Sequence, residues 1–211
     1  MKSLHLVRSA DALALLQAWC AAATAAGDAA GYDVWRVVTG PPVPPEFASQ
    51  PLSPPIIAIV EIRGGARPPV LDDRAGDGYL VEETVVFDRR EPGADPAAEI
   101  TRVGTQRRAE ALDAAGFARH WRVSHGPLVT AHQPGIVRYV QNVVRERLYG
   151  RRDADGIHQS TFADEDAYHR RIFDDEHGKA ALAADSALLL RDPGQEERVF
   201  VVPAEPARDG A

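Results

Sequence analysis

The sequence predicts an α+β fold made of two related halves, and two observations lead to this prediction. In the second half of the 211-residue chain, stretches of strand and helix character follow the order strand, helix, strand, strand, helix, strand. The first half begins in the same order and departs from it only before its last strand. Because each element must bury its apolar side, we expect the helices of each half to cover one face of a sheet.

The second half contains all six elements of this order. They are strand 99–107, a helix from Asp113 to about Ala131, strands 136–148 and 156–162, a helical region over 164–190 and strand 198–203. The arrangement β-α-β-β-α-β is that of the ferredoxin-like unit. The second half is therefore predicted to form one such unit.

The first half shows the same elements but lacks one of them. It contains strand 3–8, a helix over 10–26 and strands 32–38, 56–62 and 79–87. Residues 40–55 are rich in proline, which has no amide donor and restricts its neighbours, so they are predicted to form an extended loop. Residues 63–77 stand where the second helix would be. Their glycines and adjacent prolines predict a loop or at most one helical turn.

A connector over 88–98, containing Pro92, Gly93 and Pro96, joins the two halves. A four-stranded sheet with one helical layer leaves its other face and both edges uncovered. Two such sheets in one chain can bury these faces against each other. We therefore expect two ferredoxin-like repeats that form an intrachain pseudo-dimeric α/β barrel, present as a monomer or as a homodimer of pseudo-dimers. Residues 1–90 would be the diverged repeat without a full second helix.

Large side chains recur at helical spacing in the first helix of the second half. Phe117, Trp121 and His125 are four residues apart and fall near one face of a helix, with Leu128 in the following turn. This stripe must pack on an apolar partner, and strand 136–148 is the nearest one. His125 is then either a packed histidine near a helix end or a partly buried group with a chemical role.

Strand 136–148 carries polar groups on both of its faces. Tyr139 and Gln141 lie on one face, whereas Arg138 and Asn142 lie on the other, each among valines. This mixture indicates a cavity with a few placed donors and acceptors. The alternative is that these groups are satisfied at strand ends and in contacts between the halves.

Three segments of the second half resemble the EthD family. The first two are Phe117-x3-Trp121-x3-His125-Gly-Pro-Leu128 and Pro134-Gly135-x2-Arg138-Tyr139-Val140-Gln141-Asn142. The third comprises segments 164–168 and 178–182 and the closing strand 198–203, in the order usual for that family. The resemblance covers roughly residues 98–206, which we take as the bounds of an EthD-like domain.

The resemblance implies a ferredoxin-like domain that pairs into a dimeric α/β barrel. Tandem members of the family are similar to the layout of this chain, including a Gly-Tyr-Leu-Val strand at 78–81 before the linker. EthD relatives are associated with the degradation of ethers and with catabolic gene sets. Neighbouring barrel families include isomerases, polyketide cyclases and monooxygenases.

The leading hypothesis is a cofactor-independent catabolic or biosynthetic enzyme that holds a small apolar or aromatic metabolite between helix and sheet. His125 would transfer a proton, because imidazole titrates near neutral pH. Tyr139 and Asn142 would orient or stabilise an enolate-like oxygen. The substrate would be contacted by Phe117, Trp121, Leu128 and Gln141. The reaction type stays open among isomerase, cyclase, lyase and monooxygenase-like chemistry.

The alternative is a non-catalytic small-molecule binding or accessory protein, and the composition of strand 99–107 favours it. This strand is usually apolar in the EthD family, but here Arg102, Thr105, Gln106 and Arg107 interrupt it. Either the pocket accepts a more polar or anionic ligand, or the strand faces solvent. We expect it to face solvent, because charged residues are seldom buried without partners.

Composition argues against several kinds of partner and compartment. The net charge is −7 with both signs interspersed, so nucleic acid is not an expected partner. Cys20 is the only cysteine, which leaves no internal disulfide and fits a reducing compartment. Arg8 and Asp11 interrupt the apolar N-terminus, and no apolar run approaches the roughly 20 residues of a membrane span. We expect a soluble, cytoplasmic protein.

No metal or cofactor is expected. His120 and His125 are five residues apart, which directs them to different faces of an α-helix. Gly126-Pro127 disturbs the helix between His125 and His132, so this pair also lacks ligand geometry. The sequence contains no Gly-rich phosphate loop, nucleophile elbow or paired catalytic cysteine and histidine.

Overall fold

The structure is a computed structural model that describes residues 1–38, 54–193 and 197–204. The strands are β1 (Lys2–Val7), β2 (Ala29–Val38), β3 (Ala58–Gly64), β4 (Gly76–Asp88), β5 (Ile100–Gln106), β6 (Ile136–Tyr149), β7 (Gly156–Phe162) and β8 (Arg198–Pro203). The helices are α1 (Ala10–Ala25), α2 (Ala114–His120), α3 (Gly126–His132), α4 (Glu165–Arg171) and α5 (Glu176–Leu189). A π-helical segment, Trp121–His125, joins α2 to α3.

The strands form a closed antiparallel barrel in the order β1-β3-β2-β8-β5-β7-β6-β4. The first half contributes the neighbours β4-β1-β3-β2, and the second half contributes β8-β5-β7-β6. Two seams join the halves, because β2 pairs with β8 and β4 pairs with β6. The predicted closure of a barrel within one chain is confirmed. The halves share backbone hydrogen bonds at both seams, however, and do not form two separate facing sheets.

Alternation along the strands separates the inside of the barrel from its outer face. Leu4 and Leu6 of β1 pack with Ile59 of β3 in an apolar cluster made almost wholly of strand residues, which fills the interior. Val7 has the opposite orientation and belongs to a cluster with Leu16 of α1. The helices therefore cover the outside of the barrel and leave its interior to strand side chains.

Four of the helices begin at a side-chain cap. Ser9, Asp113, Asp164 and Asp175 each accept a hydrogen bond from a backbone N–H in the first turn of α1, α2, α4 and α5, respectively. These residue types are the preferred N-caps, because their side-chain oxygens satisfy amides that have no partner within the helix. The helix starts are thus encoded locally.

The predicted helix over 113–131 is present, but it is not a regular α-helix. In the segment Trp121–His125 the N–H of Gly126 donates to the carbonyl of Trp121, five residues earlier. A π-helical turn of this kind brings residues five apart to the same side. His120 and His125 consequently face the same neighbour, α5, and the expectation that they point to different faces is wrong.

The connections show where the halves differ. Residues 65–75, between β3 and β4, contain turns but no helix. In the second half the helical region predicted over 164–190 is divided into α4 and α5. Residues 39–53, which make up most of the predicted proline-rich loop, lie outside the described residues. In the described ranges, no helix is long and apolar enough to cross a membrane.

Trp121→Ala should lower the free energy of unfolding by about 3–5 kcal/mol. The Trp121 side chain is fully buried, and its ring lies 5.4 Å from that of Phe117. It also fills the space above Gly156, where an added Cβ would come within 2.5 Å of the indole. Urea unfolding would measure the loss of this buried surface and the cavity left behind.

Val123→Ala is the matched control, because Val123 lies in the same helical segment but is 70% exposed. Its free energy of unfolding should stay within about 0.5 kcal/mol of the wild-type value. Equal losses in the two variants would contradict the placement of Trp121 in the core.

Candidate functional site

A cavity of about 380 Å³ lies between the helical layer and the outer face of the second-half strands. Its helical side is formed by His125, Val129, Lys179, Leu182, Ala183 and Ser186. Its strand side is formed by Arg102, Gln106, Tyr139, His158, Ser160 and Arg198. The helical side therefore mixes apolar and polar groups, whereas the strand side presents mainly hydrogen-bonding and positively charged groups.

The strand register explains why these polar residues share one surface. His158 of β7 is paired with Gly104 of β5 on one side and with Gln141 of β6 on the other. Ser160 lies opposite Arg102 and Tyr139 in the next row of the same face. Directly paired residues of neighbouring strands project to the same side of a sheet. The floor of the cavity is thus two rows of side chains running across the barrel wall.

His125 forms a hydrogen-bonded pair with Asp185 of α5. Nδ1 of His125 is 2.7 Å from one carboxylate oxygen of Asp185, and Nε2 of His120 is 2.7 Å from the other. Burial alone would raise the pKa of Asp185, but the hydrogen bonds from the two histidines outweigh it and lower that pKa. An ionised carboxylate only accepts hydrogen bonds, so the Nδ1 of His125 carries the proton. Where the ring is neutral, its Nε2 then has the free lone pair that a base requires.

His158 lies on the floor of the same cavity without a hydrogen bond to either ring nitrogen. The residue is only 6% exposed. Burial, followed by the positive charges of Arg102 and Arg198, lowers its pKa well below the ordinary value. His158 is therefore a neutral imidazole. Gly104 makes room for it, because a Cβ on Gly104 would come within 2.4 Å of the ring.

Tyr139 joins the floor of the cavity to the helix above it. Its hydroxyl accepts a hydrogen bond of 3.2 Å from the indole N–H of Trp121. Burial raises the pKa of Tyr139 to about 12. The phenol consequently stays protonated at neutral pH and can donate a hydrogen bond.

The structure places the other residues predicted for the site outside the cavity lining. Phe117 and Trp121 belong to a core cluster with Val143 and Leu189. Leu128 packs at the edge of the neighbouring cluster. Gln141 is buried beneath the helix, where its side-chain amide donates to the carbonyl of Trp121 at 2.8 Å. These residues support the site from behind.

Asn142 points into the barrel, on the opposite face of β6 from Tyr139. Its side-chain amide donates to the carbonyl of Ile157 at 3.0 Å and to the side chain of Gln159 at 3.2 Å. Gln159 in turn donates to Glu61, which lies 3.2 Å from the ammonium of Lys2. Asn142 thus belongs to a polar chain inside the barrel, remote from His125.

The expectation that strand 99–107 faces solvent is wrong. β5 is paired on both sides, with β7 and β8, and its Arg102 and Gln106 line the cavity. Arg102 and Gln106 therefore form part of the cavity wall, whereas Arg107 is exposed.

Sequence reasoning also missed most residues of the cavity lining, and His158, Ser160 and Asp185 matter most for its chemistry. His158 and Ser160 alternate along β7, a spacing that could have placed them together on one face. Asp185 gave no local signal, because it lies 60 residues from His125 in the chain. Among the residues that the structure describes, no group of three or more His, Cys, Asp or Glu side chains is arranged to hold a metal ion.

Comparison with known proteins supports the predicted fold of the segment that carries this site. Residues 109–190, which span α2 to α5, match the model of the EthD domain. The resemblance to the EthD family is thus confirmed over the segment that carries His125, Tyr139 and Asp185. No curated protein sequence matches the chain.

Two solved structures share the architecture over nearly the whole chain. An "anthrone oxidase-like protein" superposes with a TM-score of 0.55 at 12% identity, covering 97% of this chain and 91% of its own. A "putative monooxygenase" from Fusobacterium nucleatum superposes with a TM-score of 0.51 at 7% identity, covering 100% and 94%. At these identities the likeness shows the fold alone.

His158→Leu should make the free energy of unfolding less sensitive to acid. The folded state lowers the pKa of His158, so below about pH 6.5 the unfolded state binds a proton that the folded state does not. The stability of the wild type therefore falls as the pH drops from about 7 to about 5. Part of this fall should disappear in the variant, as measured by urea unfolding at the two pH values.

His5 should account for a further part of the acid sensitivity. It is buried between Tyr149 and Ser3, and burial lowers its pKa to about 3. A residual dependence in His158→Leu is thus expected. An unchanged dependence would show that His158 is charged in the folded state.

Proposed function

We propose that the chain is a cofactor-independent enzyme that removes a proton from a carbon conjugated with the carbonyl group of a small aromatic metabolite. The observation that carries this proposal is the His125–Asp185 pair at the edge of the cavity. A buried carboxylate that fixes one ring nitrogen orients the imidazole and stabilises its charged form. Without a cavity beside it, the same pair would have no space in which a substrate could bind.

The proposed step balances within the substrate and His125. The Nε2 lone pair of His125 accepts the proton, and the electron pair of the broken C–H bond moves to the conjugated oxygen. Asp185 stabilises the imidazolium that results. Tyr139, a protonated phenol that lines the cavity, would donate to the oxygen that becomes negative. The predicted role of Asn142 at this oxygen is not supported, because that side chain lies inside the barrel.

The cavity supports a ligand that is apolar at one end and oxygenated at the other. Val129, Leu182 and Ala183 offer an apolar wall for an aromatic ring. Arg102 and Ser160 lie on the opposite side. Pockets that combine apolar walls with a few placed polar groups fix both affinity and orientation. An entirely apolar metabolite would leave the polar floor without partners.

One structural neighbour is an anthrone oxidase-like protein, whose name refers to an aromatic ketone, and the other is a putative monooxygenase. The first name supports the choice of an aromatic ketone as the substrate class. We also propose that residues 1–90 and 98–206 are diverged ferredoxin-like repeats. The orders β4-β1-β3-β2 and β8-β5-β7-β6 support this, because each places the last strand of its half beside the first.

His125→Ala should abolish catalysed hydrogen exchange from carbon. Anthrone, an aromatic ketone with an acidic methylene group, is a suitable first probe alongside related aromatic ketones. In deuterated buffer without oxygen, the wild type should speed the exchange of the methylene protons, as measured by proton NMR. Loss of the base should slow this exchange by about 100-fold or more. Asp185→Asn should show a smaller loss in the same direction.

His132→Ala is the matched control for this experiment. His132 also pairs with a carboxylate, that of Asp174 at 2.9 Å, but it does not line the cavity. The His132→Ala variant should speed the exchange of the methylene protons as much as the wild type does. If the ketones bind but their hydrogen exchange does not depend on His125, the result would favour the hypothesis of a non-catalytic binding protein over that of an enzyme.

A further inference from the structure

A buried imidazole without hydrogen bonds is costly unless a ligand or water supplies them. Each buried polar group left unpaired destabilises a protein by roughly 1–3 kcal/mol. Neither ring nitrogen of His158 has a partner, although the ring lies on the wall of the cavity. The surrounding strands hold it there, and Gly104 leaves the space that the ring occupies. His158 is therefore a preformed hydrogen-bonding group, and its partner must come from the cavity.

We infer that His158 binds an anionic oxygen of the ligand, such as an enolate, a phenolate or a carboxylate. The inference rests on the proposed function for the location of the ligand, and it assigns the ligand class and its orientation. The neutral ring donates one N–H to the oxygen. The aromatic part of the ligand then lies against the helical side, with its reactive carbon towards His125.

The charges around the cavity favour an anion over a neutral or cationic ligand. Arg102 and Arg198 lie on the strand side with His158, and Lys179 lies on the helical side. Cationic side chains beside a cavity strengthen the binding of a negative oxygen there.

The position of Gln106 gives a second contact for the same oxygen. Gln106 is 5% exposed and lines the cavity, and its side-chain oxygen has no hydrogen-bond partner. It lies two residues beyond Gly104, which is the strand neighbour of His158. Its amide can donate to the ligand while its oxygen accepts from a ligand hydroxyl. A phenol or enol with a neighbouring hydroxyl would satisfy both side chains.

Binding of 4-nitrophenolate, compared with that of 4-nitroanisole, tests the inference without any turnover. The two probes share a ring and a nitro group, but the methyl ether cannot become an anion. Isothermal titration calorimetry of the wild type should show 4-nitrophenolate binding about 10- to 100-fold more tightly than 4-nitroanisole. The absorbance of the bound probe should also show ionisation at a lower pH than in free solution.

The variants separate His158 from its neighbours. His158→Leu should lose most of the preference for the anion, whereas His158→Gln, which keeps an N–H donor, should retain part of it. His125→Ala should keep the preference while losing the proposed catalysis, so failure of one proposal is distinguishable from failure of the other. Urea unfolding confirms that each variant is folded.

A measurement on the wild type alone guards against variants that do not fold. Addition of 4-nitrophenolate should shift the ring ¹⁵N resonances of a buried histidine in protein labelled at histidine. Equal binding of the two probes, an undiminished preference in His158→Leu, or no saturable binding of 4-nitrophenolate at millimolar concentration would each overturn the inference.

Discussion

The carboxylate of Asp185 is the constraint on which the site depends. It holds His120 and His125 together, and in doing so it fastens the helical segment 114–132 to α5. Both histidines can reach it only because the π-helical segment between them adds a residue to the turn. π-helical turns of this kind often occur at functional sites. A local irregularity of the backbone thus positions the group to which we assign the chemistry.

The closed barrel provides the rigid wall against which this helical layer is placed. Its interior is filled by strand side chains, including the apolar cluster around Leu4 and the polar chain that contains Asn142. A filled interior leaves the outer face as the place for a ligand. There the pairing of β5, β6 and β7 fixes the spacing of the polar floor residues, because neighbouring strands are held by backbone hydrogen bonds. Sites supported by strands in this way are more precise than sites on loops.

The sequence predicted the elements well and the site only in part. Periodicity is a local signal, so it located the strands, most of the helical regions and the position of His125 near a helix–sheet contact. The π-helical turn has no comparable signal in one sequence, and Asp185 meets His125 only through tertiary packing. The sequence did allow the opposite orientations of Tyr139 and Asn142 to be predicted, because residues three apart in a strand point to opposite faces. The prediction for strand 99–107 was wrong because Arg102 and Gln106 line a cavity that no local sequence pattern reveals.

The protonation of His125 tests the central claim most directly. Two-bond proton–nitrogen correlation spectra of protein labelled with ¹⁵N at histidine report which ring nitrogen carries the proton. Where the ring is neutral, our account predicts the proton on Nδ1, held by Asp185, and a bare Nε2 directed at the cavity. In Asp185→Asn this preference should weaken. A neutral His125 with its proton on Nε2 in the wild type would contradict its role as the base.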